Sequence, residues 1–167
     1  MKKTFLFALL LAGTICFGQT NCNIKKAYAY YTVSVPGVQM ADENGNPVPP
    51  KPYIARFIYI ECNGSKIPGI KTVLYNKFPL SFSVMRVKEK TVSVGNKPNG
   101  YQVENNRVYT ITAKRGNTLW KIDLEPVAGK PMVETDCKNI IIKTKDSDKV
   151  CKFKLQKETQ LMTLPRY

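Results

Sequence analysis

The chain has 167 residues, 26 Lys and Arg against 12 Asp and Glu, a formal net charge of +14 and no histidine. That length suits one domain with a single sizeable core, and the lack of imidazole excludes histidine-based triads and dyads and histidine-ligated metals. The positive excess favours anionic partners, although lysines also serve to keep strand edges soluble and unpaired.

Residues 1–18 read as a secretory signal peptide. Lys2 and Lys3 form its basic region, Phe5 to Ala12 its apolar stretch, and Cys16-Phe17-Gly18 a cleavage site before Gln19. The apolar run is too short for a membrane span, and no later segment approaches that length. A lipoprotein with Cys16 acylated fits less well, because Ile15 stands where a small residue is normally required. Residues 19–167 are therefore expected to form one domain, secreted or periplasmic and monomeric, with no transmembrane segment.

Cys22, Cys62, Cys137 and Cys151 remain after cleavage, and an even number in an exported chain suggests two disulfides. No two of them lie within four residues, so the usual zinc spacings are missing and neither metal nor cofactor is expected.

Runs rich in Val, Ile, Thr and Tyr with period-two alternation predict strands over 25–35, 53–62, 70–75, 80–88, 90–94, 107–113, 118–125, 139–144, 149–155 and 159–163. No helix is predicted. The first two strands flank "PGVQMADENGNPVPPKP", residues 36–52. Asp42, Asn44 and Asn46 resemble the start of a calcium loop, but Pro47 stands where glycine should turn and Tyr53 where a glutamate should close the site. A tight turn running into a stiff, proline-rich connector explains the segment better.

If 25–35 and 53–62 pair antiparallel across that loop, Val35 faces Tyr53 and Cys22 falls opposite residue 66, four positions beyond Cys62. A small lean follows towards Cys22 with Cys62 and Cys137 with Cys151. Cys62 with Cys151 is the main rival, as a pin between two core strands. "YIARFIYIEC" is apolar on both faces, with Phe57 and Tyr59 on one and Ile58, Ile60 and Cys62 on the other. Such a strand is either covered on both sides or bears an exposed aromatic strip that Tyr28 and Tyr30 extend, with packing the better explanation.

"RVYTITAKRGNTLWKIDLE" reads as a hairpin turning at Gly116-Asn117. Trp120, Ile122 and Leu124 face the core, and Lys121, Asp123 and Glu125 face solvent. "CKNIIIKTKDSDKVCKFKLQK" reads as a second hairpin turning at Asp146-Ser147-Asp148, with Cys151, Phe153 and Leu155 inward. It is the densest basic stretch of the chain.

The carboxylate pairs Asp123 with Glu125 and Asp146 with Asp148 have a spacing near that used by glycoside hydrolases, but both sit among lysines on wet faces. Ser65 with Lys66 is a poor Ser-Lys pair, since adjacent strand residues point to opposite faces. Neither phosphate-binding glycine signature is present. Basic residues between aromatics would also suit an oligonucleotide-binding barrel, but export with disulfides argues against nucleic acid.

The expected architecture is an all-β, immunoglobulin-like antiparallel sandwich of seven to ten strands, with a small β-barrel as the alternative. The expected role is that of a non-catalytic accessory or binding protein of the bacterial cell envelope. Its contact with an acidic glycan, a lipid head group or an envelope protein would run through Lys143, Lys145, Lys149, Lys152 and Lys154. A polysaccharide-directed hydrolase using the paired carboxylates and a structural subunit of a surface assembly are the alternatives.

Overall fold

Alternating apolar residues flanked by turns produce twelve strands among the described residues of the computed structural model, ten of them four residues or longer. The structure describes residues 23–34, 40–48, 52–96, 108–127, 139–146 and 149–162, with only the backbone described at Met40, Asp146 and 149–151. The signal segment, Cys22, Cys137 and Asp148 lie outside the described residues.

The strands are β1 (Ile24–Ser34), β2 (Met40–Ala41), β3 (Pro47–Val48), β4 (Tyr53–Asn63), β5 (Ile70–Tyr75), β6 (Phe78–Arg86), β7 (Thr91–Asn96), β8 (Val108–Thr112), β9 (Asn117–Pro126), β10 (Ile140–Asp146), β11 (Lys149–Leu155) and β12 (Glu158–Leu161). No helix occurs among the described residues. One eight-stranded sheet runs β11-β10-β5-β6-β9-β4-β1-β12, antiparallel throughout except for the last pair, β1 with β12.

The two ends of that sheet belong to neighbouring strands. β11 and β12 are separated only by Gln156 and Lys157, and the chain bends there, leaving β10 and joining β1 from Ala29↔Glu158 to Thr32↔Leu161. A strand that changes partner at a bend is how sheets turn corners. The sheet thus nearly closes into a barrel. The β7–β8 hairpin, a separate two-stranded sheet, lies over the outer side of β1, β4 and β9, so that region is locally two sheets face to face. The all-β expectation holds, with features of both arrangements it allowed.

Inward positions follow the period of two. β4 contributes Ile58, Ile60 and Cys62, β9 Trp120, Ile122 and Leu124, β10 Ile140 and Ile142, and β5 Val73 and Tyr75. Most are fully buried, and each buried isoleucine contributes about 1.5–3 kcal/mol relative to exposure. Bulges correct the phase where the sequence slips. Ile24 and Ala27 both pack on the core because the ladder shifts between Ile24 and Lys26, leaving Lys25 as the extra residue. Ile70 and Val73 do the same, with Lys71 extra.

Two pairing expectations change. Ser34, not Val35, faces Tyr53, a one-residue shift of the β1–β4 register. The shift places Tyr28 opposite Tyr59 and Tyr30 opposite Phe57, so like side chains share a face. The hairpin expected between 107–113 and 118–125 does not form, because β8 pairs with β7 and β9 lies between β4 and β6. Its alternating Tyr109 and Ile111 are used to cover Tyr30, Tyr59 and Leu119 from outside. The aromatic strip is therefore covered: Tyr30 and Tyr59 are buried, and Tyr30 stacks on Phe57 at 5.9 Å between centroids.

Candidate functional site

The second hairpin forms as the sequence implies, with β10 and β11 in register from Asp146↔Lys149 to Ile140↔Leu155. Ile140, Ile142 and Thr144 are buried, and Phe153 and Leu155 pack on the core, so the alternate positions face out. The outward set includes Lys143, Lys145, Lys152 and Lys154. Lys143 stands directly opposite Lys152, and Lys154 is opposite Ile141. Lys149 is opposite Asp146 in the backbone register, and its side chain lies outside the described residues.

None of Lys143, Lys145, Lys152 and Lys154 has an ion-pair partner among the described residues. Exposed Lys71, the extra residue of the β5 bulge, adjoins Lys143 across the β10–β5 ladder. Near its turn the hairpin is held to the residue before β5 by the Lys145 amide, which donates to the Gly69 carbonyl at 2.8 Å. A Cβ at residue 69 would collide with the Lys145 carbonyl oxygen, so only glycine admits this approach.

Beside this face lies a groove of about 840 Å³ where the barrel is open. β1 bonds to β12 only from Ala29 onward, so Ile24–Tyr28 on one side and β11 on the other flank a wedge. Its lining includes Ala27, Ala29, Phe153 and Leu155, with Lys25, Lys26, Lys154 and Lys157 also along it. Lys154 belongs to both face and groove. The lysines of β1 are not recognisable as neighbours of β11 from the sequence, because the two strands meet only through ring closure.

Other singled-out residues serve the fold. Asp42 accepts hydrogen bonds from the backbone amides of Asn44 at 2.9 Å and Asn46 at 2.8 Å and from the Asn46 side chain at 3.2 Å. The Asn46 backbone bond leads in holding its carboxyl below the ordinary range, so its oxygens stabilise the β2–β3 turn. No group of three or more metal-ligating side chains occurs among the described residues.

Asp123 pairs with Lys121 at 2.7 Å, and Glu125 is exposed. The side chain of Asp146 lies outside the described residues, as does Asp148. Trp120 is a buried core anchor, with its indole nitrogen unpaired among the described residues.

Glu61 is a buried acid with a structural task. Its Oε1 accepts from the Lys114 amide at 2.9 Å and the Asn117 side chain at 2.5 Å, holding the corner where the chain passes from β8 to β9. Burial pushes this carboxyl up. The bonds from Asn117 and Lys114, with the charges of Lys26 and Lys114, outweigh burial and hold it below its usual range. Glu158, also buried, pairs with Arg56 at 3.2 Å inside the barrel, and the Arg56 guanidinium lies 5.5 Å from the Tyr75 ring centre.

Cys62 is a buried free thiol and no disulfide is seen among the described residues; Cys22 and the side chain of Cys151, the two partners the sequence suggests for it, lie outside them. Its inward position between Ile24 and Thr118 makes it a small core residue, and burial, with the neighbouring Glu61 charge, pushes its thiol up to about 12.

No helix among the described residues is long and apolar enough to cross a membrane. Comparison of the chain with protein-family models, curated proteins and solved structures finds no match.

Proposed function

We propose that this chain is an exported, non-catalytic binding protein of the bacterial cell envelope, secreted or periplasmic, that holds an anionic partner on the outer face of β10 and β11. The observation that carries this reading is the directly opposed pair Lys143 and Lys152, flanked by Lys145 and Lys154, with no anion paired to any of them among the described residues. Like charges placed opposite one another across a ladder destabilise it. An acidic glycan or lipid head group lying over the four ammonium groups reverses that effect, and export places the protein where such polymers are found. The amino-terminal signal-like segment supports export.

Binding of the mature protein to heparin and to vesicles containing anionic lipid, followed against ionic strength, tests the reading. Affinity is expected to fall steeply with salt. Replacing Lys143, Lys152 and Lys154 by glutamine should weaken binding about fivefold per lysine, from about 1 kcal/mol for each cation at an anionic surface. Absence of binding at low ionic strength, or binding indifferent to the substitutions, would overturn it.

A further inference from the structure

The wedge between β1 and β11, about 840 Å³, is flanked by two strand edges that share no ladder among the described residues. Towards the barrel, Ala27 and Ala29 of β1 oppose Phe153 and Leu155 of β11, and all four pack on the apolar core. At the alternate outward positions stand Lys26 and Tyr28 on one lip and Lys152 and Lys154 on the other. Each lip is paired on one side alone: Ile24–Tyr28 with β4 and Lys149–Leu155 with β10, with no ladder between them among the described residues.

We propose that this wedge receives an extended segment of a partner protein, about five residues long to match Ile24–Tyr28 at roughly 3.3 Å per residue, in which apolar side chains alternate with acidic ones. The proposal rests on the basic-face reading for Lys152 and Lys154 and gives that face a partner class.

A strand presents its side chains alternately to its two faces. One face of the guest meets the small alanine floor, where Ala27 and Ala29 lie opposite the bulky Ile60 and Ile58 of β4. The other face carries its carboxylates to Lys26, Lys152 and Lys154. The guest's main chain pairs with the free edges, as in strand addition to an open sheet.

A hydrocarbon chain in the same wedge would strip water from those edge groups without bonding them, which disfavours a lipid tail. The lysines also act against a second copy of this chain, since two such edges repel. An acidic segment is the complementary case.

The test uses the full mature chain and a short fluorescent peptide of alternating valine and glutamate. Three controls are a peptide of the same composition in two blocks, an alternating valine–lysine peptide, and the valine–glutamate peptide N-methylated at alternate amides. The alternating acidic peptide should bind roughly tenfold more tightly than each control and should slow amide exchange along Ile24–Tyr28. Lys152→Glu with Lys154→Glu, both at exposed positions, should reverse the preference between glutamate and lysine peptides while leaving the urea midpoint nearly unchanged.

Equal binding of the alternating, block and N-methylated peptides would overturn strand insertion while leaving the basic face as a simple polyanion surface. Displacement of the peptide by palmitate, with N-methylation having no effect, would overturn it in favour of an amphiphile. Salt-sensitive heparin binding with no peptide binding would remove this inference alone, whereas loss of both would remove the basic-face reading as well.

Discussion

The two faces of β4 do different work with the same backbone. Inward, Ile58, Ile60 and Cys62 have no exposed surface and touch side chains from strands all round the barrel. Outward, Phe57, Tyr59 and Glu61 meet the aromatic layer and the β8–β9 corner. The inner face is aliphatic and belongs to the whole ring. The outer face is aromatic and polar, and it holds one attached hairpin. Loss on the inner side is therefore expected to melt the molecule, whereas loss on the outer side should loosen a part of it.

The largest expected effect breaks the inner face. Ile60→Ala should cost about 2–5 kcal/mol, read as a lower urea midpoint with an unchanged slope, because the closed ring cannot collapse around the lost methyl groups. A loss below that of an outer-face substitution would sink the distinction between the faces.

Glu61→Ala should cost less, about 1–3 kcal/mol, because the Lys114 amide and Asn117 side chain lose their acceptor. Amide exchange should quicken first at Lys114 and in β8, ahead of β4 itself. The folded carboxyl lies below its unfolded value near 4.3, so its contribution is complete above that pH and is lost as pH falls through the folded value. The variant should therefore lose less stability on acidification than the parent chain, and an identical acid profile would refute the role given to Glu61.

The smallest effect sharpens the frame shared by both faces. Asn76 and Lys77 join β5 to β6 in a two-residue turn with φ of 47° and 75°. A mirror-type turn of this kind favours glycine at its second position. Lys77→Gly should stabilise the chain by about 0.5–1 kcal/mol, the left-handed strain removed less the extra freedom of glycine when unfolded. A lower thermal midpoint would contradict that geometry.

The sequence showed its strands more clearly than their partners. Periodicity placed β5 and β11 at their observed ends, and the double apolar character of β4 correctly indicated cover on both sides. Register was missed by one residue: β2 and β3 pair as the expected register implies, Met40 with Val48, but β1 and β4 do not continue it. The pairing of β8 was missed for a different reason: an alternating strand followed by Gly116 fits a hairpin or a corner equally well. Glu61, lying far away in sequence, braces the corner that the chain adopts.

The site divides in the same way. The outward lysines of β10 and β11 were legible from alternation alone, as were the inward Phe153 and Leu155. Lys25, Lys26 and the alanine floor of β1 were not, since their neighbourhood depends on contacts between the first strand and the last. Cys62 was read as half of a disulfide from the expectation of export, and its inward position among aliphatic side chains makes it part of the core.

The joining of both sheet edges through the bend at Gln156 and Lys157 also sets an order in time. Strands β4, β9 and β6 lie side by side, and β10 with β11 form a local hairpin. The ring, however, is sealed only when Glu158–Leu161 reach Ala29–Thr32, contacts that span most of the chain. Closing so long a loop is entropically slow, so the seal should be a late event in folding. Until then the first strand remains an open edge, and its own exposed Lys25 and Lys26 keep that edge from recruiting another nascent copy.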